Sequence, residues 1–291
     1  MKLFSKDIKL KAHFIAFLTI FIWSITFVQT KVLLNYLSAD EILIDRFLLA
    51  LIFFWLIKPK FISTTLKEEV LFLFLGLSGI FGYYSLENYA LKYSTSINVG
   101  LIVTTAPIFT AIISIYTNRQ SLQNIKFTIL GFLLVLFGLF AMDYNKISQI
   151  NIGDLLAIFG SISFGIYSYL LGLVPKKFDT ITTTKKSFLW GVIFLIIFSI
   201  VNKSQFHFNA YLNIKVWTNL IFLSFIASGL CFLMWKWSIF IIGARKTSNY
   251  IYLVPIINAF ASVAILNEVI TLNIVFATIF ILIGLYISQK Y

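Results

Sequence analysis

The residues VTTAPIFTAI at 103–112 and IYLVPIINAF at 251–260 each set a proline inside an apolar run. A proline within a helix removes one backbone hydrogen bond and crowds the preceding turn, so Pro107 and Pro255 are expected to weaken the helices that carry them. Sliding the chain against itself by 148 residues superposes Pro107 on Pro255, Ala111 on Ala259 and Ser114 on Ser262. Gly100, Thr104, Pro107, Ala111 and Ser114 step by 4, 3, 4, 3, and so do Ser248, Tyr252, Pro255, Ala259 and Ser262. That spacing lays each mostly small set along one side of a helix. Further on, NRQSLQNIKF at 118–127 is similar to NEVITLNIVF at 267–276, and LFGLF at 136–140 to LIGLY at 282–286. The chain reads as a duplication.

Outward from the two prolines the sequence stays apolar. Of 291 residues, 60% are hydrophobic, only 12% are charged and 32 are Phe. A soluble domain is roughly 45–50% apolar and about 25% charged, so the surplus implies a surface solvated by lipid. A membrane helix needs about 20 apolar residues, and runs of that kind recur near 12–34, 41–57, 69–91, 96–116, 126–142, 152–174, 187–201, 216–240, 247–266 and 272–288. Ten transmembrane helices are expected, because backbone in hydrocarbon must satisfy its own hydrogen bonds. The first run follows MKLFSKDIKLK, which has the basic character of a signal peptide. Its apolar part is too long and lacks a small-residue cleavage site, so it reads as a retained helix. One cysteine, Cys231, excludes an internal disulfide, and two histidines, His13 and His207, leave little for a His-rich metal centre. No metal and no cofactor are expected.

The 23 Lys and Arg fix the expected orientation. With the N-terminus in the cytoplasm and loops alternating, sixteen lie inside: Lys2, Lys6, Lys9, Lys11, Lys58, Lys60, Lys67, Arg119, Lys126, Lys176, Lys177, Lys185, Lys186, Arg245, Lys246 and Lys290. Four lie outside, Lys92, Lys146, Lys203 and Lys215. This bias follows the positive-inside rule, puts both termini in the cytoplasm, and makes the net charge of +12 a topological signal rather than a nucleic-acid patch. Five spans per half is odd. The second half, 149–291, therefore enters the membrane from the side opposite to the first, 1–148, and inverted repeats of this kind are a transporter signature.

A family resemblance rests on ordered motifs. WSITF at 23–27 with Lys31, DRFLLA at 45–50 and YALKYSTSINVGLIVTTAPIFTAIIS at 89–114 resemble the first repeat of the EamA branch of the drug/metabolite transporter superfamily. NIGDLLA at 151–157, SFGIY at 163–167, YLVP at 252–255 and LNE at 266–268 resemble the second. Phe164 stands where the family often has Trp, and Arg119-Gln120 where its first repeat often ends in Gly-Glu. The resemblance implies a ten-helix transporter of small metabolites, amino acids or drug-like molecules in the cytoplasmic membrane. It also implies a central cavity between the repeats. Apart from the resemblance, efflux is taken as the expected direction and protons as the candidate coupling ion.

Helical faces nominate the residues. Thr19, Trp23, Thr26 and Thr30 form a polar and aromatic stripe on the first span, and Gly76, Gly79, Tyr83, Glu87 and Ala90 one on the third. A pocket with Trp23, Tyr83, Tyr167 and Tyr252 suits an apolar or aromatic moiety, with Thr26, Asn98, Thr104 and Asn258 for hydrogen bonds. Ser161, Gly165, Ser168 and Gly172 read as a packing seam, and Trp55, Trp190 and Trp217 as interface anchors. Lys31, Asp45, Arg46 and Glu87 lie at similar depth towards the outer side, where opposite charges below the headgroups are cheapest as one cluster. They are expected to form a structural network, an outer gate or a binding group for a zwitterion, with Glu87 compensating Lys31 or Arg46 and the deepest candidate for carrying a proton. Glu268 is a lesser candidate, and Lys236 is expected to snorkel. Pro107 and Pro255 are the expected hinges. A channel or structural membrane protein is the alternative reading. An intramembrane enzyme finds no paired carboxylates or HExxH, and a nucleotide-driven pump finds no GxxxxGK[ST].

Overall fold

The computed structural model describes residues 5–60, 62–118, 122–142, 151–243, 247 and 249–289. Lys2, Arg119, Lys146, Arg245, Lys246, Ser248 and Lys290, and the expected boundary between halves at 148/149, lie outside the described residues. Among the described residues the chain is all-α, with ten helical spans. They are α1 (Lys6–Leu33), α2 (Ala39–Ile57), α3 (Leu66–Tyr93), α4 (96–118), α5 (Leu122–Met142), α6 (Ile152–Gly172), α7 (Thr180–Val201), α8 (Ile214–Ile242), α9 (249–266) and α10 (Leu272–Gln289). Five of them, α1, α3, α6, α7 and α8, are long and apolar enough to cross a membrane by length and composition. The sequence starts the seventh span at 187, but α7 begins at Thr180. There Asp179 caps the helix by accepting from Thr182 N at 2.8 Å, so polar residues too hydrophilic for an apolar run still extend the helix.

The helices in α4 and α9 are discontinuous, though not through an interior proline kink. α4 consists of Ser96–Val103 and Ala106–Asn118, joined by a turn in which the Thr104 hydroxyl donates to Leu101 O at 2.6 Å and that of Thr105 to Ile102 O at 2.7 Å. Pro107 is the second residue of the later helix. α9 opens as a 3-10 turn, Asn249–Leu253, and becomes α-helical over Val254–Leu266 with Pro255 again second. In a first helical turn the backbone N–H has no intrahelical acceptor, so the missing proton of proline costs nothing and its φ is already helical. The prolines start helices, and each discontinuity lies in the residues just before them.

A second pair of irregularities has no counterpart in the sequence reading. α3 runs as π-helix over Gly76–Tyr83, and α8 does so over Phe222–Leu230. Each stretch has a carbonyl served from elsewhere: Ser163 Oγ of α6 donates to Ser78 O at 2.8 Å, and Trp23 Nε1 of α1 donates to Ala227 O at 2.9 Å. Close neighbours demand the glycines there. A Cβ on Gly76 would lie 2.6 Å from Cβ of Trp190 in α7, and one on Gly229 would lie 2.9 Å from the Phe53 ring in α2.

These contacts are reciprocal. The first helix of each half serves the third helix of the other, and the second helix of each half packs on the third of the other. The fifth helices pair directly: Gly138 faces Ala277 and Ile281, and a Cβ on Gly284 would meet Gly131 O at 2.6 Å. Lipid tails are as apolar as the side chains, so small-residue approach and interhelical hydrogen bonds carry this association. The packing seam expected on α6 holds at Ser161, which donates to Ile102 O at 3.1 Å, and at Gly165, which abuts Phe109. It does not hold at Gly172, around which 4 Å of space is open.

Candidate functional site

The helix ends gather at two ends of the bundle, here named for Lys31 and Lys58. At the Lys31 end, Ser38 forms a capping box with Glu41 and starts α2 with an acidic turn. The segment between α7 and α8 lies over that turn. His207 Nδ1 pairs with Glu41 at 2.7 Å while its backbone N–H donates to the same carboxylate, the Ser204 hydroxyl donates to Asp40, and the Tyr211 hydroxyl donates to Asp45 at 2.7 Å. Burial together with that bond to Asp45 pushes the Tyr211 phenol upward.

The same end joins α4 to α1, α6 and α9. Glu268 accepts Ser96 N at 2.7 Å and Ile97 N at 3.0 Å, capping the start of α4. Lys31 lies 3.8 Å from Glu268 and donates to Ser94 O. Asp154 accepts from the Ser94 hydroxyl and from Asn98 Nδ2 at 3.5 Å. The fully buried Asn258 donates to Ser96 O at 2.7 Å and accepts from Ser96 Oγ at 3.1 Å.

At the Lys58 end the equivalent elements exchange roles. The α2–α3 segment lies over the first turns of α7. Lys58 pairs with Asp179 at 2.6 Å, Lys185 Nζ donates to Lys58 O at 2.6 Å and Lys60 O at 3.0 Å, and Lys186 pairs with Glu69 at 2.6 Å. Burial acts to raise Asp179, but hydrogen bonds from Lys58 and Thr182 outweigh it and hold the carboxyl down at about 2. Trp190 Nε1 donates to Glu69 at 2.8 Å and Trp217 Nε1 to Tyr211 O at 2.8 Å, and the Lys185 ammonium sits 4.3 Å from the centre of the Trp55 ring. All three expected interface anchors therefore also tie protein segments together.

Between the ends lies a polar interior. Arg46 and Glu87 are each 2% exposed. Arg46 Nε donates to Ser228 Oγ at 2.8 Å, inside the π segment of α8, and its guanidinium carbon lies 4.6 Å from the Tyr84 ring centre and 5.3 Å from that of Phe47. Arg46 Nη1 is buried without a hydrogen-bond partner, as are Thr30 Oγ1, Ser85 Oγ, Asn88 Oδ1 and Ser224 Oγ. The Arg46 guanidinium and the Tyr83 hydroxyl are the groups that act on the Glu87 carboxylate. Among the described residues no three His, Cys, Asp or Glu side chains converge as a metal site.

The four charges expected as one cluster are thus divided. Lys31 takes Glu268, Asp45 takes Tyr211, and Arg46 with Glu87 stands apart in the interior. Their partners lie on different elements: Glu268 follows α9, Tyr211 lies between α7 and α8, and Ser228 belongs to α8. Of the cavity candidates, Thr26, Tyr83, Thr104 and Tyr167 are buried, and Trp23 packs on Phe232 and Trp235 at 5.6 and 5.4 Å between ring centres. Tyr167 covers Gly79, where a Cβ would meet its ring at 2.2 Å. Tyr252 is half-buried in the 3-10 turn of α9. Asn98 and Asn258 are at the Lys31 end, bonded to Asp154 and Ser96. Asp154, Ser228, Ser224 and the acidic turn of α2 escape the sequence reading. The only hint is polar residues at helical spacing, as at Ser224 and Ser228.

The EamA-like transporter family matches this chain twice, over residues 10–142 and 151–289. The chain belongs to that family. A relative from Archaeoglobus fulgidus, described as an uncharacterized transporter, is 28% identical over 89% of this chain and 90% of its own length. The uncharacterized transporter YyaM of Bacillus subtilis is 30% identical over 74% of this chain and 72% of its own. A solved crystal structure superposes with a TM-score of 0.63 over 96% of this chain and 95% of that one at 16% identity, which shows a shared fold. The protein is a multi-pass membrane transporter.

Proposed function

We propose that this EamA-like protein is a secondary transporter that moves a small metabolite, an amino acid or similar molecule, out of the cell by alternating access. The observation that carries the reading is the reciprocal clasp. The segment leaving α2 covers the start of α7 at one end, and the segment leaving α7 covers the start of α2 at the other. Two halves of inverted topology would build the two clasps from equivalent parts, so opening one end while the other stays shut uses the same motion twice. Both termini face the cytoplasm in this reading, and the substrate contacts the interior lined by Trp23, Thr26, Tyr83 and Tyr167. Glu87, an ionisable group inside a span, carries the coupling proton. Pro107 and Pro255 mark the two discontinuities at which α4 and α9 swing. A comparison of metabolites in cytosol and medium between cells with and without the gene tests the function. Export of a small molecule that depends on the gene and stops in Glu87→Gln supports it, whereas identical metabolite pools at equal expression refute it.

A further inference from the structure

We propose that Arg46 is the carboxylate-binding residue of this protein, so that its ligand is a small monocarboxylate held at Nη1 of the guanidinium, the buried donor that lacks an acceptor. This rests on the transporter reading above and names the substrate class of its interior. A guanidinium carries five donors in a rigid fork and cannot shed its charge, so burying it is costly unless both donors and charge are compensated. Arg46 is buried on aromatic rings, its Nε donates to a neutral hydroxyl, Ser228 Oγ, and Nη1 has no acceptor. Among the described residues no ion pair within 4.0 Å joins it to a carboxylate. The anion that acts on it, Glu87, does so from farther away. What is missing is one acceptor with one negative charge.

The surroundings favour a ligand over a structural partner. Ser228 belongs to the π stretch of α8, and Tyr83, which acts on Glu87 together with Arg46, ends the π stretch of α3. Irregular helix inside a membrane protein is tolerated where it is buried in protein or lines a cavity, and π turns gather at functional positions. Charge count selects the ligand. Of the two cations expected in the charge cluster, Lys31 is committed to Glu268 and Ser94, and Arg46 has no carboxylate within 4.0 Å among the described residues. A phosphate would bring two charges against one guanidinium and a nearby carboxylate, whereas a carboxylate brings one and fits the fork with two parallel hydrogen bonds. Glu87 then acts as the internal competitor for the field of Arg46.

The test uses the full-length protein purified in detergent, with melting followed by tryptophan fluorescence. The probes are the standard L-α-amino acids, acetate, lactate and benzoate, each beside its amide, and inorganic phosphate. The expected result is that at least one carboxylate raises the melting temperature of the wild type while its amide does not. Arg46→Gln should lose that response but keep its elution profile, Arg46→Lys should retain part of it, and Glu87→Gln should respond at about tenfold lower concentration because a competing negative charge is gone. A purely structural Arg46 would make Glu87→Gln weaker, not tighter. No response to any carboxylate, an equal response to carboxylate and amide, or a stronger response to phosphate overturns the proposal; should Arg46→Gln fail to fold, the wild-type carboxylate and amide pairs and Glu87→Gln still decide it. In proteoliposomes, flux of amides without flux of carboxylates keeps the transporter and refutes the site. Carboxylate binding without any flux supports the site and counts against transport.

Discussion

Asn258 and Gly100 are the closest test of how the fourth helices of the two halves meet. A Cβ built on Gly100 would lie 2.1 Å from Asn258 Nδ2 and 2.9 Å from its Cγ, so Gly100→Ala must displace a fully buried amide that holds both Ser96 O and Ser96 Oγ. Overpacking costs about 1–3 kcal/mol, and the helix preference of alanine over glycine returns about 1 kcal/mol, so the single change should destabilise by roughly 0–2 kcal/mol. Asn258→Ala leaves the Ser96 carbonyl and hydroxyl without that partner. Membrane hydrogen bonds average about 0.6 kcal/mol and buried orphans reach about 1–3 kcal/mol, so a loss of roughly 2 kcal/mol is expected. In the double variant the amide is gone, the new methyl group occupies its space, and Gly100→Ala becomes neutral or stabilising by up to about 1 kcal/mol. The coupling between the two sites is therefore about 1–3 kcal/mol in favour of the double variant. Reversible unfolding of the four proteins in detergent, followed by tryptophan fluorescence, measures it. Additivity within about 0.5 kcal/mol would mean that the two side chains do not share space, and the α4–α9 packing described above would be wrong.

Pro107→Ala and Pro255→Ala should each change stability by less than about 1 kcal/mol, because both prolines stand in first turns where no N–H bond is lost; a gain larger than that in thermal unfolding would restore the interior-kink expectation. Asp179 is held down at about 2, so its contribution is fully present above the usual carboxylate range and is lost as pH falls through about 2; wild type should lose its melting-temperature advantage over Asp179→Asn between pH 4 and pH 2, and a constant difference would refute the Lys58 pairing. Glu268→Gln should lower the melting temperature more than Glu68→Gln, since Glu268 caps α4 with two backbone bonds and faces Lys31 whereas Glu68 caps the exposed start of α3 with one and pairs with the exposed Lys177, a surface contact of small worth, and equal shifts would argue against the α4 cap. Reporter fusions after Lys2 and after Tyr291 should both read cytoplasm; a signal from the opposite compartment at either end would remove the inverted-repeat reading.

Ten helical spans, the duplicated halves and the pairing of Pro107 with Pro255 were legible in the residues themselves. A helix in lipid must satisfy its backbone internally and face hydrocarbon, so its length, apolarity and flanking charge are written within about 20 consecutive positions. Thr26 and Tyr83 stand on polar or aromatic stripes at helical spacing, which are costly against lipid, and both are buried. Rise along a helix led to the expectation of Lys31, Asp45, Arg46 and Glu87 as one cluster, and the structure divides them. Which of them meet was decided by the azimuth of each helix and by the elements that cover its ends, and both are set by packing between segments far apart in the chain. Glu268 therefore reached Lys31 across more than 200 positions, and Ser228 reached Arg46 across 182. The π stretches of α3 and α8 belong with them, because a carbonyl leaves its regular ladder only where another helix brings a Ser163 or a Trp23 to receive it.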